Sequence, residues 1–138
     1  MTAGPIAYRV RGPVDDEALS ALHLDAFDST AVAVTPWQSR LDRWSLTWLT
    51  AYAAEGQLVG FVNVVGDGGL HAFLLDTVVD PRHRHRGIGA ELVRRAAAAA
   101  RAAGCTWLHV DYEPPLARFY LDTCGFRPTA AGLLRLSD

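Results

Sequence analysis

The chain has 138 residues, of which 50% are hydrophobic and 20% charged, and its formal net charge is -2. This length fits a single domain, residues 1–138, with room for a real core, and the acidic balance argues against a general nucleic-acid partner. Met1 to Tyr8 lacks the pattern of a secretory signal, and no apolar run is long enough to span a bilayer. We therefore expect a cytoplasmic protein with no membrane partner.

The two cysteines predict no covalent framework. Cys105 and Cys124 are too few for a disulfide scaffold, and they lack the spacing of metal ligands. We expect two reduced, partly buried thiols and no metal site.

Apolar periodicity and turn residues predict a chain that mixes strands and helices. The predicted strands are Ile6–Val10, Thr47–Ala53, Leu58–Val65, Leu70–Val79, Thr106–Asp111 and Leu133–Leu136. The predicted helices are Asp15–Phe27, ending at Asp28-Ser29-Thr30, part of Thr35–Trp48, then Glu91–Ala103 and Pro114–Asp122.

The order of these elements predicts the topology of the sheet. Short turns make the strands between Thr47 and Val79 an antiparallel meander. Ala72–Val79 is apolar except for Asp76 and Thr77, which is expected of a central strand covered on both faces. The helix after it implies a right-handed crossover, so Thr106–Asp111 should be its parallel neighbour.

Residues Thr35 to Trp48 are unusually aromatic. Trp37, Trp44 and Trp48 can serve as core packing, or together with His71 they can line an acceptor pocket. The residue types alone fit both interpretations.

Arg82 to Ala90, a basic and glycine-containing turn, lies between a predicted strand and a predicted helix. Free N–H groups and the helix dipole at such a helix start favour an anion. The third glycine of a dinucleotide fingerprint is replaced by Leu92, and the lysine of a phosphate-binding loop is absent. The basic run Arg82–Arg86 also fits a solvated surface or a nucleic-acid patch, although no stacking aromatics are interleaved with it.

Several linked motifs resemble the GNAT superfamily of N-acetyltransferases. They are Val79-Asp80-Pro81, Arg84-x-x-Gly87-x-Gly89, Trp107 to Val110, Phe119-Tyr120 and Gly125-Phe126. The order of elements before them also fits, so the resemblance covers nearly the whole chain. It implies an α/β (α+β) fold with a mixed, mostly antiparallel sheet, flanking helices, and a central parallel strand pair that splays apart to hold acyl-CoA.

The resemblance implies acetyl-CoA as co-substrate, with its pyrophosphate on the glycine turn. A side chain at Gly87 or Gly89 would crowd the phosphates. The pantetheine arm would follow the preceding strand, with the N–H of Val78 as candidate donor to the oxyanion. The implied cofactor-binding residues are Thr77, Val78, Val79, Arg84, His85, Arg86, Gly87, Ile88, Gly89 and Ala90.

Three residues are candidates for proton transfer. Tyr120 matches the family's proton donor to the departing thiolate, although a helix tyrosine packed on the sheet is the alternative. His109 or Asp76 would assist as base, and a chain of waters would serve equally well. Glu113 stands where the family often has asparagine, and we expect it to face a cationic acceptor.

The implied reaction moves an acetyl group from acetyl-CoA to a primary amine by direct attack through a tetrahedral intermediate. The sequence does not identify the acceptor, which is a small molecule or a peptide. The alternative is a non-catalytic, acyl-CoA-binding regulatory module. Members of the superfamily occur as monomers and as homodimers, so both states remain open.

Overall fold

The computed structural model describes residues 4–27 and 33–138. Five strands and three α-helices follow one another within these residues. They are β1 (Ala7–Val10), α1 (Asp16–Phe27), α2 (Trp37–Trp44), β2 (Thr47–Tyr52), β3 (Leu58–Gly66), β4 (His71–Val79), α3 (Ile88–Ala102) and β5 (Trp107–Val110). Short 3-10 turns cover Pro81–His83 and Pro114–Leu116, and a π-helical segment covers Arg118–Thr123.

The strands form one sheet in the order β1-β2-β3-β4-β5. Strands β1 to β4 pair antiparallel, whereas β5 pairs parallel to β4 from His71 opposite Trp107 to Leu74 opposite Val110. Beyond Leu74 the two parallel strands no longer pair. The predicted mixed α/β sheet with its parallel crossover is thus confirmed.

The sheet separates two apolar clusters. On one side α3 packs its buried Leu92, Val93 and Ala96 against the strands, together with Tyr120 from the π-helical segment. We call this the α3 cluster. On the other side Leu19, Leu22, Trp37, Leu41, Trp48, Phe61 and Val78 form the α1 cluster. Trp37 and Trp48 are therefore core residues, whereas Trp44 is 65% exposed.

A β-bulge interrupts β4 on the edge of the α1 cluster. Phe61 pairs with Val78 and Asn63 with Leu75, so Asp76 and Thr77 together lie opposite Val62. Asp76 has a φ of 58°, in the left-handed region that few residues other than glycine adopt. The bulge bends the strand at the level where β5 has ceased to pair with it.

The structure corrects the prediction of a closing strand at Leu133–Leu136. Residues 127–138 form no helix or strand, and Leu133, Leu134 and Leu136 are 88%, 84% and 91% exposed. The three leucines among these four residues suggested a strand, but a strand also needs an edge to pair with, and this segment pairs with none in the described chain.

Three further expectations need adjustment. The strand Ala72–Val79 is not covered on both faces, since Phe73 and Leu75 are 41% and 39% exposed on the side opposite α3. Helix α3 begins at Ile88 rather than Glu91, because the turn runs directly into the helix. The predicted helix Pro114–Asp122 is a 3-10 turn followed by the π-helical segment.

The remaining expectations concern single features. Both cysteines are free and partly buried, as predicted. The predicted end of the first helix, Asp28-Ser29-Thr30, lies outside the described residues. Within residues 4–27 and 33–138, none of the helices combines the length and apolar character that crossing a membrane requires.

Candidate functional site

The glycine turn presents an open helix start. Gly87 caps α3 with a φ of 77°, and no side chain caps the helix there. A Cβ at Gly87 would meet no atom of residues 4–27 or 33–138 within 4 Å. His85 also adopts a positive φ, of 63°, and alternating conformations of this kind turn successive N–H groups into an anion-binding concavity. Ile88 packs into the core while the N–H groups of the first helical turn remain without side-chain partners.

Asp80 stabilises the start of this turn through hydrogen bonds. Its carboxylate, 5% exposed, accepts hydrogen bonds from the Arg82 backbone N–H at 2.9 Å and from the Arg82 guanidinium at 3.2 and 3.1 Å. These hydrogen bonds hold the pKa of Asp80 below its ordinary value, against the effect of burial. Arg82 thus shapes the loop.

The other basic side chains of the turn lie on its surface. Arg84, His85 and Arg86 are exposed. Arg86 donates to the Gly4 carbonyl oxygen at 2.9 Å and so connects the turn to the start of the chain. Positive charge therefore surrounds the open helix start.

Gly89 packs closely against the π-helical segment. A Cβ there would lie 3.3 Å from Cζ of Phe119 and 3.6 Å from Cγ2 of Val79. The close approach of the Phe119 ring to the first turn of α3 is therefore a second reason for glycine at this position, beside the predicted contact with the phosphates. This contact joins the π-helical segment to the turn, and Ala90 follows as a half-buried residue of the same helix.

The backbone of β4 opens toward the gap that β5 leaves. Asp80 N–H donates to the Val59 carbonyl at 2.8 Å, which makes these residues a hydrogen-bonded pair. Since hydrogen-bond direction alternates along an antiparallel strand, Val78 N–H faces Phe61 on β3, whereas the N–H groups of Thr77 and Val79 face the gap. The pairing therefore does not favour Val78, the donor indicated by the sequence, as the oxyanion donor.

Tyr120 lies at this gap. It is 6% exposed, stacks on Tyr112 with ring centroids 5.4 Å apart, and meets Phe119 and Phe126 edge-on. Burial raises the pKa of the Tyr120 hydroxyl above 10.0, while a hydrogen bond with Thr77 acts in the opposite direction. The hydroxyl is consequently protonated at neutral pH and lies beside a cleft-facing residue of β4.

His109 is not brought together with Tyr120. Its Nε2 lies 2.8 Å from Nδ1 of His71, and its ring stacks on Phe73 with centroids 4.6 Å apart. Phe73 and His109 are register partners on the face of the sheet opposite α3. Phe73 lies four residues before Thr77 on β4, so the pair is about 13 Å from Thr77 along the sheet. His109 belongs to a surface cluster of aromatic and imidazole rings.

Asp76, by contrast, lies at the bulge and belongs to a polar network. Its Oδ1 is 3.1 Å from His23 Nε2 on α1, and its Oδ2 is 3.4 Å from Asn63 Nδ2 on β3. Asn63 Oδ1 accepts a hydrogen bond from Ser45 Oγ at 2.6 Å. The sequence did not predict that His23, Asn63 and Ser45 form a network with Asp76. No short motif links His23 to a partner 53 positions away, although Asn63 within an apolar strand was a visible signal.

An open groove of about 1400 Å³ reaches the glycine turn at Gly87. It runs along α3 and β5, and its lining includes Arg101, Trp107, His109 and Tyr112 but not Thr77, Val79 or Tyr120. The groove therefore borders the turn, and the gap beside Thr77 lies outside it. Glu113, which the sequence suggested as an acceptor contact, is exposed just before the 3-10 turn Pro114–Leu116.

Comparison with known proteins identifies the family. The sequence profile described as the acetyltransferase (GNAT) family matches residues 16–126, and the chain therefore belongs to that family. It is 42% identical over 57 residues to mycothiol acetyltransferase of Nocardia farcinica, an alignment that covers 41% of this chain and 19% of that protein. It is 30% identical over 82 residues to chloroplastic serotonin N-acetyltransferase 2 of rice, covering 58% of this chain and 41% of that protein.

The fold is also that of solved GNAT structures. A GNAT N-acetyltransferase of Escherichia coli in complex with CoA superposes with a TM-score of 0.74 at 24% identity, covering 92% of this chain and 71% of that chain. The chain spans less than half of the length of the two curated relatives. Its own activity and acceptor are therefore matters for proposal.

Proposed function

We propose that the protein transfers an acetyl group from acetyl-CoA to a primary amine. The observation that carries this proposal is the open start of α3, with Gly87 at a φ of 77° and no capping side chain, directly beside the gap between β4 and β5. A helix start with free N–H groups suits a pyrophosphate, and the gap suits an extended arm that replaces the missing strand partner. Thr77, Val79 and the turn Arg84–Ala90 are the residues that would hold acetyl-CoA.

The reaction requires a stabilised oxyanion and a proton for the leaving thiolate. The cleft-facing N–H of Thr77 or Val79 would donate to the thioester oxygen as it becomes negative. Tyr120 would donate its proton to the CoA sulfur, since its hydroxyl is protonated at neutral pH and lies beside Thr77. Support comes from family membership and from the solved relative that contains CoA.

A two-part assay tests this function. Thermal unfolding is followed with and without acetyl-CoA, and a ligand at about 100 times its Kd should stabilise the protein by about 2.7 kcal/mol. CoA thiol release is then measured with a panel of primary amines that includes serotonin, which the name of the rice relative specifies. Alcohols of matched shape serve as controls.

Each outcome assigns a different function. Stabilisation by acetyl-CoA with amine-dependent thiol release supports the transferase. Stabilisation without thiol release from any amine would overturn it in favour of a non-catalytic acyl-CoA-binding module. Absence of stabilisation, together with steeply salt-dependent duplex binding, would instead indicate a nucleic-acid function of Arg82–Arg86.

A further inference from the structure

We propose that the outer edge of β5, the side away from β4, binds an extended peptide of a partner protein as an additional strand. Strand β5 is last in the order of the sheet, and no strand within residues 4–27 and 33–138 pairs with its outer edge. A free edge presents N–H and C=O groups that can bond to a further strand. This site goes beyond the proposed acetyl transfer, because the groove that contains it does not include Thr77, Val79 or Tyr120.

The groove along β5 has room for such a strand. Its lining includes the whole of β5 and residues of the segment after Phe126, and its volume is about 1400 Å³. Pockets for small molecules usually have volumes of about 300–1,000 Å³. An open groove of larger volume beside a free strand edge therefore suits an extended chain better than a small compact ligand.

The side chains of β5 form two surfaces for the alternating side chains of an added strand. Leu108 and Val110 pack on the α3 cluster. Trp107 and His109 lie on the other face, where the ring of His109 stacks on Phe73. Trp107 is 52% exposed and Phe73 is 41% exposed. Apolar, aromatic or β-branched side chains of a peptide would cover these surfaces on both faces of the sheet.

The end of the groove where β5 begins is basic. Arg101, in the last turn of α3, lines this end, and the guanidinium of Arg127 lies 5.2 Å from the ring centroid of Trp107. Neither arginine has an ion-pair partner within residues 4–27 and 33–138. Asp67 of the turn before β4 is not part of the lining and accepts a hydrogen bond within its own turn. Two arginines are thus available to a carboxylate of the partner.

The end of the groove where β5 stops is acidic. Asp111 follows β5 directly, lines the groove and is exposed, and Glu113 is exposed two residues later. Neither carboxylate has an ion-pair partner in the described part of the chain. Glu91 and Arg94 of α3 also line the groove, but they pair with each other. The groove therefore has charges of opposite sign at its two ends.

These charges define the partner. Trp107 and Asp111 are four residues apart, which is about 13 Å along a strand. A peptide antiparallel to β5 would place a basic residue at Asp111 and an acidic residue, four positions later, at the arginines. Antiparallel pairing is also slightly the more stable arrangement. A nucleic acid fits this groove poorly, because its uniform negative charge would meet the acidic end.

The first experiment tests strand addition with synthetic peptides. Fluorescence anisotropy measures the binding of a labelled, end-capped peptide in which glycines flank the order Lys-Val-Tyr-Val-Asp. Only alternate residues of an added antiparallel strand bond to the edge. Of two N-methylated versions, one on the two valines and one on the tyrosine and the aspartate, one should bind about 10-fold more weakly. The other should bind like the parent peptide.

The second experiment tests the charges and the aromatic surface with protein variants. Arg101→Glu should weaken binding about 10-fold, and a peptide with lysine in place of aspartate should restore it. Arg118→Glu, an exposed arginine outside the lining, is the control and should leave the affinity unchanged. Trp107→Ser should weaken binding, whereas Val10→Ser on β1, the other outer strand, should not. The two side chains are 52% and 54% exposed.

Three results would overturn the proposal. The first is no binding of the peptide at about 1 mM. The second is an equal loss of affinity with both N-methylated peptides, because contact without strand pairing does not distinguish alternate residues. The third is a dimer in sedimentation that Trp107→Ser dissociates and the peptide does not, which would assign the edge to a second copy of the chain. Thermal unfolding shows whether each variant folds. None of these measurements involves acetyl transfer, so failure here leaves the proposed function untouched.

Discussion

At the scale of single residues, a substitution at Gly87 should affect both the stability of the fold and the binding of acetyl-CoA. Gly87 and Gly56 both have left-handed backbones, with φ of 77° and 90°, and a Cβ at either would meet no atom of the described part of the chain within 4 Å. Gly87→Ala and Gly56→Ala should each destabilise the fold by about 1–2 kcal/mol, because L-residues are strained there. Only Gly87→Ala should also weaken acetyl-CoA binding, as measured by calorimetry. Equal affinities of the two variants for acetyl-CoA would contradict the proposal that the turn at Gly87 binds the pyrophosphate.

The Tyr120 hydroxyl is the predicted proton donor to the CoA sulfur. Tyr120→Phe keeps the ring packed against Tyr112 and Phe119 but removes the proton donor. We expect kcat to fall by about 100-fold, with the acetyl-CoA-induced rise in Tm preserved. Tyr52→Phe, on β2, is the matched control. Full turnover of Tyr120→Phe under conditions where acetyl transfer limits the rate would disprove the assignment.

At the scale of elements, the first turn of α3 contains a charge cluster that responds to pH. Glu91 bonds Arg94 and Arg95, with Arg95 Nε 2.8 Å from its Oε2. The hydrogen bonds from these arginines lower the pKa of Glu91 from 4.5 to about 2. Because the folded pKa lies below the unfolded one, this stabilisation is present above about pH 4.5 and is lost as the pH falls toward 2.

Glu91→Gln should therefore lower Tm at pH 7 and lower it less at pH 3, where part of the stabilisation is already lost. The loss should stay below about 1 kcal/mol, because the pairs are partly exposed to solvent. Thermal unfolding from pH 7 down to pH 3 measures it, with Glu55→Gln in the exposed hairpin turn as control. A difference between Glu91→Gln and the wild type that does not change with pH would show that packing, rather than charge, is responsible.

Elements defined by local signals were predictable from the sequence, and contacts between elements were not. Apolar periodicity and the glycine turn located α3 and the parallel crossover, because each depends on neighbouring residues. The His23–Asp76 pair depends on how α1 lies across the bulge of β4, which no local pattern encodes. The same limit applies to His109. The family resemblance suggested it as a base, and only the register of the strands shows that it lies opposite Phe73.

At the scale of the whole molecule, the two apolar clusters meet at the unpaired end of β4. Tyr120, the proposed acid, packs in the α3 cluster, whereas Val78 of β4 packs in the α1 cluster on the other face. The backbone of Thr77 and Val79, which would hold the donor, lies between the two clusters. The alignment of the donor with Tyr120 should therefore depend on close packing on both faces of the sheet.

Stability should accordingly depend on the two clusters and not on the segment after Phe126. Leu41 is fully buried in the α1 cluster, whereas Leu134 is 84% exposed. Leu41→Ala should lower the free energy of unfolding by about 2–5 kcal/mol, since it leaves a cavity. Leu134→Ala should change it by less than about 0.5 kcal/mol. Urea denaturation of both variants measures the difference. A loss at Leu134 comparable with that at Leu41 would show that the leucines of the last segment pack in solution, as the predicted closing strand required.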